Sequence, residues 1–319
     1  MSDLVEPIPG VHRDRHPNRT RGYLLYLTAA TAFALNGTVS KTLLLSGLDS
    51  ARLSQIRVTG AFLILFVFVA ATNRHALRIR RKEIIPLLVY GVLGVAMTQY
   101  LYFVALEYLS VGVALLIEFT APIMVALWFR FGYREPTRKT VWLALAISLL
   151  GLALVAEVRQ GFTLAPIGVA AAFGAAIALA IYFLMGERIV HAKPPRDAVS
   201  LTMWGFGAAS LFWAIAAPWW SYPWSSLEGD AVPLGTFELV APIWTLTLWM
   251  ILLGTMIPFW LTIVSLHHLK ASQASTIGLV EPLLAIAFAW ILLGETMTAI
   301  QMIGGALILG GVVLAERSR

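Results

Sequence analysis

Ten apolar stretches, each about the length that carries a helix across a bilayer, make up most of this chain, at 22 to 45, 51 to 72, 84 to 106, 110 to 130, 138 to 157, 166 to 187, 199 to 217, 241 to 266, 272 to 292 and 297 to 315. In hydrocarbon every backbone N–H and C=O must find a partner within the chain, so a run of roughly 20 apolar residues resolves into an α-helix. At 59% hydrophobic and 13% charged residues, with a mean hydropathy of +0.80, the chain is too apolar for a water-soluble domain, where about 45–50% apolar is usual. The sequence therefore predicts an all-α membrane protein of ten transmembrane helices. Residues 1 to 21, with Pro7, Pro9, Pro17 and four arginines, read as a disordered cytoplasmic tail. The apolar run that follows is too long for the core of a signal peptide and is closed by no small-residue cleavage pattern.

Charge gives the orientation. With the N-terminus inside, 19 of the 23 Lys and Arg fall in the tail, in the loops around Arg74 to Lys82, Arg130 to Lys139, Arg188 to Arg196 and Lys270, or after the last span. That bias puts both termini on the cytoplasmic side of the cytoplasmic membrane and explains the net charge of +6 without invoking nucleic acid. The longest outer loop, 218 to 240, has no Lys or Arg but carries Trp219, Trp220, Tyr222 and Trp224, which reads as an interfacial aromatic belt. The absence of cysteine excludes disulfides, thiol catalysis and thiolate metal sites.

Within this pattern the segment Gly94 to Val155 is written again, without a gap, 160 residues later as Gly254 to Ala315. There are 12 identities in 62 aligned positions, among them Pro122/Pro282 and Glu135/Glu295 in register. A repeat this long is a domain-sized unit, and it divides the chain into two five-helix halves, 22 to 157 and 166 to 315. Five is odd, so the second half must lie upside down relative to the first. The charges fit: Arg130, Arg134, Arg138 and Lys139 correspond to Trp290, Gly294, Thr298 and Ala299, which leaves the second loop free to face out.

The pair Ala105-Leu106 leading through Pro122 to Glu135, its echo in Ser265-Leu266, Pro282 and Gly294-Glu295, and Arg57 near the start of the second span resemble the drug/metabolite transporter superfamily, specifically its EamA type. The resemblance covers about 22 to 315, and the first span has Asn36-Gly37 where that family usually has Trp-Gly. It implies a solute cavity between the two halves and export of amino acids or other metabolites.

Of 17 acidic residues only Glu118 and Glu281 fall at membrane depth. At about 1.5 Å per residue they lie roughly 12 and 14 Å from the ends at which their spans begin, near the midplane. Both adjoin a helix-breaking proline, in Glu118-Phe119-Thr120-Ala121-Pro122 and in Glu281-Pro282. Acids at this depth mark either a transport pathway or a buried pair that ties helices together. Lys41 and Arg57 are the cations inside spans, and three roles are open to them: pairing with Glu118, binding a solute carboxylate, or snorkelling to the outer interface. Uncharged candidates are Asn36, Ser40, Gln99, Tyr102, Tyr182, Trp204 and Trp260; a lone Tyr or Trp in a span is more often packing, whereas an amide in hydrocarbon needs a partner.

All six histidines lie in cytoplasmic segments or at a cytoplasmic helix end, so no histidine relay or metal centre is expected in the membrane. No phosphate-binding glycine loop and no soluble catalytic domain occur, which argues against ATP-driven transport by this chain alone. The reading is a secondary transporter that needs no cofactor and moves a small organic solute outward, with at least one of the glutamates coupling a proton or binding a solute ammonium. The alternatives are a passive channel, a membrane scaffold and, less favoured for want of a cluster of reactive groups at one depth, a membrane-embedded enzyme.

Overall fold

The structure is a computed structural model and describes residues 18–131, 138–155, 165–190, 192, 196–230, 240–269, 274, 277–278 and 280–317. Among these residues there is no β-strand, only an isolated antiparallel bridge between Asp230 and Pro242. The helices are α1 (Arg19–Leu45), α2 (Ser50–Thr72), α3 (Ile84–Val89), α4 (Met97–Tyr108), α5 (Val111–Glu118), α6 (Ala121–Phe131), α7 (Lys139–Val155), α8 (Pro166–Val190), α9 (Ala198–Ala216), α10 (Ile243–Ile251), α11 (Ile257–Ser265), α12 (Val280–Leu293) and α13 (Ala299–Arg317). Polar side chains begin several of them: Asn18 accepts from Arg21 N at 3.1 Å, Asp49 from Arg52 N at 2.9 Å and Asp197 from Ser200 N at 2.9 Å. Each satisfies a backbone donor that the first turn leaves unpaired. Helix α1 thus starts at Arg19, three residues inside the expected tail. Residues 1–17, the Glu135 loop and residues 156–164 between the expected halves lie outside the described residues.

Five continuous helical stretches are long and apolar enough to cross a membrane: Ser50–Thr72, Arg81–Tyr108, Pro166–Val190, Ala198–Ala216 and Ile243–Ser265. Shorter apolar helices run over Val111–Val125, Trp142–Gly151, Val280–Leu293 and Ala299–Gly311. Large apolar side chains such as Val67, Ile85, Leu150 and Ile215 point outward, as a lipid-facing surface requires. The protein is a multi-pass helical membrane protein.

The expected spans differ from straight helices in two respects. Helix α3 passes into α4 through a π-helical turn, Tyr90–Ala96, and α10 passes into α11 through another, Leu252–Met256. The span expected at 110 to 130 is broken between α5 and α6 at Phe119 and Thr120.

Two ends of the bundle are distinguishable. At one, Gly22 packs on His268 and Leu269, and buried Arg196 ties the 76 to 83 segment down through Arg78 O and an ion pair with Glu83 at 2.8 Å. Arg19, Arg21, Arg74, Arg78, Arg80, Arg81, Lys82 and Arg188 collect at this end. At the other, Glu295 accepts from Val111 N at 2.9 Å, and Arg52 donates to Pro218 O at 3.2 Å and Ser221 Oγ at 2.7 Å. There Trp219 stacks on Tyr222 and Trp224 at centroid distances of 5.4 and 5.9 Å.

Packing at the repeated segment is reciprocal. A Cβ on Gly151 of α7 would lie 2.6 Å from Gly304 O and 2.8 Å from Ile308 N of α13, while one on Gly311 would lie 2.7 Å from Ala144 O and collide with Ser148 Oγ. Positions 144, 148 and 151 plus 160 are 304, 308 and 311, so each helix offers the other the same surface. Residue 144 meets 311 and residue 151 meets 304, so the two helices run antiparallel. The same holds elsewhere: a Cβ on Gly22 would meet Leu269 and His268 at 2.7 and 2.9 Å, and one on Gly168 would meet Leu109 and Tyr108 at 2.9 and 2.8 Å.

Candidate functional site

The two π-helical turns fall at equivalent places in the repeat, around Gly94 and Gly254. A π-turn throws the hydrogen-bond ladder out of step and needs outside partners, which is why such turns concentrate at functional sites. In the first, Thr98 Oγ1 donates to Gly94 O at 2.6 Å. In the second, Thr255 Oγ1 donates to Met250 O at 2.8 Å, and Arg57 of α2 donates through Nη2 to Gly254 O at 2.8 Å and through Nε to Thr255 Oγ1. The Arg57 guanidinium also lies over the Phe103 ring, 5.2 Å from its centroid, a favourable cation–π contact for a buried cation. Both turns need glycine for a close approach: a Cβ at Gly94 would stand 3.0 Å from Tyr182 Cα, and one at Gly254 would overlap the Asn36 side chain.

The carboxylates arrive on interrupted helices. Glu118 is the last residue of α5; Pro122, one turn on, has no N–H to return to the Glu118 carbonyl, and Thr120 instead bonds back to Ile117 O with its hydroxyl at 2.8 Å. Glu281 lies in the first turn of α12 beside Pro282, where a missing donor is tolerated. Both are buried, at 5% and 9% exposure. The position equivalent to Glu118 is Gly278, where a Cβ would lie 2.8 Å from the Tyr26 hydroxyl, so the second half leaves room at that point for an aromatic side chain from α1.

These elements enclose a cavity of about 80 Å³, lined by Asn36, Arg57, Gln99, Tyr102, Glu118, Tyr182 and Glu281 together with Tyr26, Phe33, Gly94, Thr98, Leu115, Phe119, Leu179, Phe183, Phe259 and Thr262. At about 10–15 Å³ per water, that space suits a few waters or a very compact solute rather than the 300–1,000 Å³ of an open ligand pocket. Asn36 Oδ1, both polar atoms of the Gln99 amide, Tyr102 OH and Thr262 Oγ1 are buried without a hydrogen-bond partner from the protein. Buried polar atoms are nearly always partnered, so this cluster is arranged for water or a polar solute. Aromatic rings form one wall: Phe259 meets Phe33 and Tyr182 edge to face at 5.1 and 5.5 Å, and Tyr182 stacks on Tyr90 at 5.4 Å.

Seven of the eleven sequence candidates therefore share one cavity, and four do not. Lys41 turns away to donate to Leu106 O and to Leu109 O at 3.0 Å, closing the end of α4 where carbonyls lack helical partners. Trp260 is 38% exposed on the outer face of α11, because its neighbour Phe259 takes the inward position. Neither expected ion pair with Glu118 forms: among the described residues Arg196–Glu83 is the ion pair within 4 Å, and Arg57 spends its bonds on the π-turn. Trp204 donates to Ala76 O at 3.4 Å at the basic end, and Ser40 is buried in α1 without lining the cavity. Sequence reading missed Phe259 and Thr262, although they stand 160 residues after Gln99 and Tyr102 and were within reach of the repeat. Tyr26, Phe33 and Phe183 gave no such signal.

A multi-pass helical protein with buried carboxylates, a guanidinium and unpartnered amides around a central cavity is built as a membrane transporter of small solutes. The chain belongs to the EamA-like transporter family, whose match covers residues 20–156 and again 166–316. It is 29% identical over 256 residues to the threonine/homoserine exporter RhtA of Escherichia coli (strain K12), covering 78% of this chain and 76% of that protein. It is 30% identical over 271 residues to the uncharacterized transporter YdfC of Bacillus subtilis (strain 168), covering 84% and 82%. A crystal structure of a protein that shares 17% identity superposes with a TM-score of 0.63 over 93% of this chain and 97% of that one, which is a likeness of fold.

Proposed function

We propose that this protein is a secondary transporter that exports a small zwitterionic solute, an amino acid or a similar metabolite, across the cytoplasmic membrane, by alternating access to the cavity around Arg57, Glu118 and Glu281. The observation that carries the reading is the composition of that cavity: one guanidinium and two carboxylates, buried together beside unpartnered amide and hydroxyl groups. The bonds to the π-turn occupy Nε and one Nη2 proton of Arg57, so Nη1 remains available to a solute carboxylate. The two glutamates suit a solute ammonium, or a proton in its place when the cavity is empty of solute. Similarity to RhtA, named for threonine and homoserine export, supports the amino-acid class and the outward direction.

In this reading the ten expected spans form two inverted five-helix repeats, 22 to 157 and 166 to 315, with both termini cytoplasmic. The antiparallel, reciprocal contact of α7 with α13, the paired π-turns and the gathering of basic residues at one end support this arrangement. Rocking one repeat against the other would then expose the cavity to each side in turn.

The test uses purified full-length protein in proteoliposomes with an imposed proton gradient. Accumulation of radiolabelled L-threonine, L-homoserine or another amino acid above the equilibrium level is expected. Movement that only equalises concentration would identify a passive facilitator, and no movement of any amino acid would reject the solute class.

A further inference from the structure

We infer that the basic end of the bundle holds a binding site for the phosphate headgroup of an anionic phospholipid, in the pocket between the start of α3 and the end of α8. This pocket, of about 600 Å³, is walled by Arg80, Arg81, Lys82 and Arg188, with Pro86, Leu87 and Ile189 as its apolar floor. The cations come from two segments distant in sequence, the turn Arg81–Glu83 before α3 and the last turn of α8, and they converge on one space. A bias of positive charge toward one membrane face accounts for basic residues in loops, but not for their convergence around a shared concavity.

Three observations select the ligand. First, the pocket's own acid is already engaged: Glu83 accepts from Arg196 Nη2 at 2.8 Å and from Arg80 N at 3.0 Å, and among the described residues the side chains of Arg80, Arg81, Lys82 and Arg188 form no ion pair within 4 Å. Four cations face a single carboxylate that Arg196 already holds, and this excess of positive charge calls for an anion with several acceptor oxygens, which a phosphate diester supplies. Second, the segment that carries three of them is fixed rather than loose: buried Arg196 anchors it through Arg78 O at 2.9 Å, and Ser200 Oγ donates to Ala76 O at 2.8 Å. Third, the helix that supplies the pocket's apolar floor through Pro86 and Leu87 also carries Ile84, Ile85 and Leu88, which are 45%, 72% and 40% exposed and form a lipid-facing side of that helix. An acyl chain would cover them, whereas a soluble phosphate would leave them bare. Headgroup cations at the end of a helix whose side faces lipid are placed for a lipid phosphate.

The site bears on the transport cavity through the helices it joins. Helix α3 leads into the π-turn at Gly94, and α8 carries Tyr182, whose backbone Gly94 touches. A lipid bridging Arg80–Lys82 to Arg188 would hold the basic ends of these two helices together.

The experiment is native mass spectrometry of the detergent-solubilised full chain titrated with phosphatidylglycerol, phosphatidylcholine or inorganic phosphate. The variants are R81Q/R188Q, the single R188Q, and R19Q/R21Q, which removes the same charge elsewhere at that end. Phosphatidylglycerol is expected to bind at least about tenfold more tightly than phosphatidylcholine, with R81Q/R188Q losing most of that preference, R188Q part of it and R19Q/R21Q none. Should R81Q/R188Q fail to fold, R188Q alone decides the matter. Equal binding of the two lipids, or unchanged preference in the pocket variants, would overturn the site. Competition by millimolar phosphate as effective as the lipid would overturn its assignment to lipid.

Discussion

Gly151 and Gly311 occupy the same place in the two copies of the repeated segment, and each accepts the other's helix across a gap that has no room for a methyl group. The relation is isologous: what Gly151 meets in α13, Gly311 meets at the matching residues of α7. Small residues at such crossings let helices approach closely where lipid gives no hydrophobic drive to association. Gly151→Ala and Gly311→Ala are each expected to lower stability by roughly 1–3 kcal/mol through overpacking. Gly310→Ala, whose Cβ would meet nothing within 4 Å, serves as the silent control. Thermal unfolding in detergent checks this, and a large loss at only one of the two glycines would contradict the reciprocal packing.

Arg57 and Thr255 are joined at the second π-turn, whereas Arg57 and Glu118 share a cavity without a direct bond. Removing the guanidinium in Arg57→Met strands the Gly254 carbonyl and is expected to destabilise the protein by about 1–3 kcal/mol. In double-mutant cycles, coupling of Arg57→Met with Thr255→Val should fall in the range of about 0.5–3 kcal/mol and exceed coupling with Glu118→Gln. The reverse order would mean that Arg57 is chiefly the partner of Glu118.

Lys41 separates depth from function. It lies in the same membrane half as Arg57 along the sequence, yet its ammonium seals carbonyls at the end of α4. Lys41→Met should therefore lower thermal stability modestly, on the order of 0.3–1 kcal/mol, and leave solute affinity unchanged. A several-fold loss of affinity measured by ligand-dependent thermal shift would bring Lys41 back into the site.

The inverted arrangement predicts that the loop at Glu135 and the loop after Gly294 face opposite sides. Because the chain has no cysteine, Glu135→Cys and Thr296→Cys can be introduced singly and labelled with an impermeant thiol reagent. Residue 135 should react only from the cytoplasmic side and residue 296 only from outside. Labelling of both from one side is the outcome that the inverted repeat does not survive.

Much of this architecture was legible in the sequence because a bilayer restricts the choices. An apolar run of about 20 residues becomes a helix, and helix makes up most of the described part of each predicted span, with the break at Phe119 and Thr120 inside the fourth. Pro122 announced the break that leaves Glu118 at a helix end. The π-turns had no such herald, since a residue inserted into the ladder needs no proline; only Gly94 and Gly254 marked the places. Buried charges and amides were readable as site candidates because hydrocarbon gives them no partner. Tyr26, Phe33 and Phe183 were not, because an aromatic ring is equally at home against lipid, against protein or in a cavity, and neither α1 nor α8 has a distinct apolar stripe to mark an inward side. Lys41 was misplaced for a related reason: position along a span fixes depth but not direction.

The central claim is that Glu118 and Glu281 are working groups of the cavity rather than struts. The direct measurement is transport by proteoliposomes holding the parent protein, Glu118→Gln or Glu281→Gln, assayed from about pH 5 to about pH 8 with a solute found active in the parent. Replacement of a carboxylate by its neutral isostere keeps shape and removes the titrating charge. The account predicts that both variants fold, with unfolding temperatures near that of the parent, and that at least one loses transport or its dependence on pH. If both carry solute like the parent at every pH, the two carboxylates are structural and the proposed mechanism is wrong.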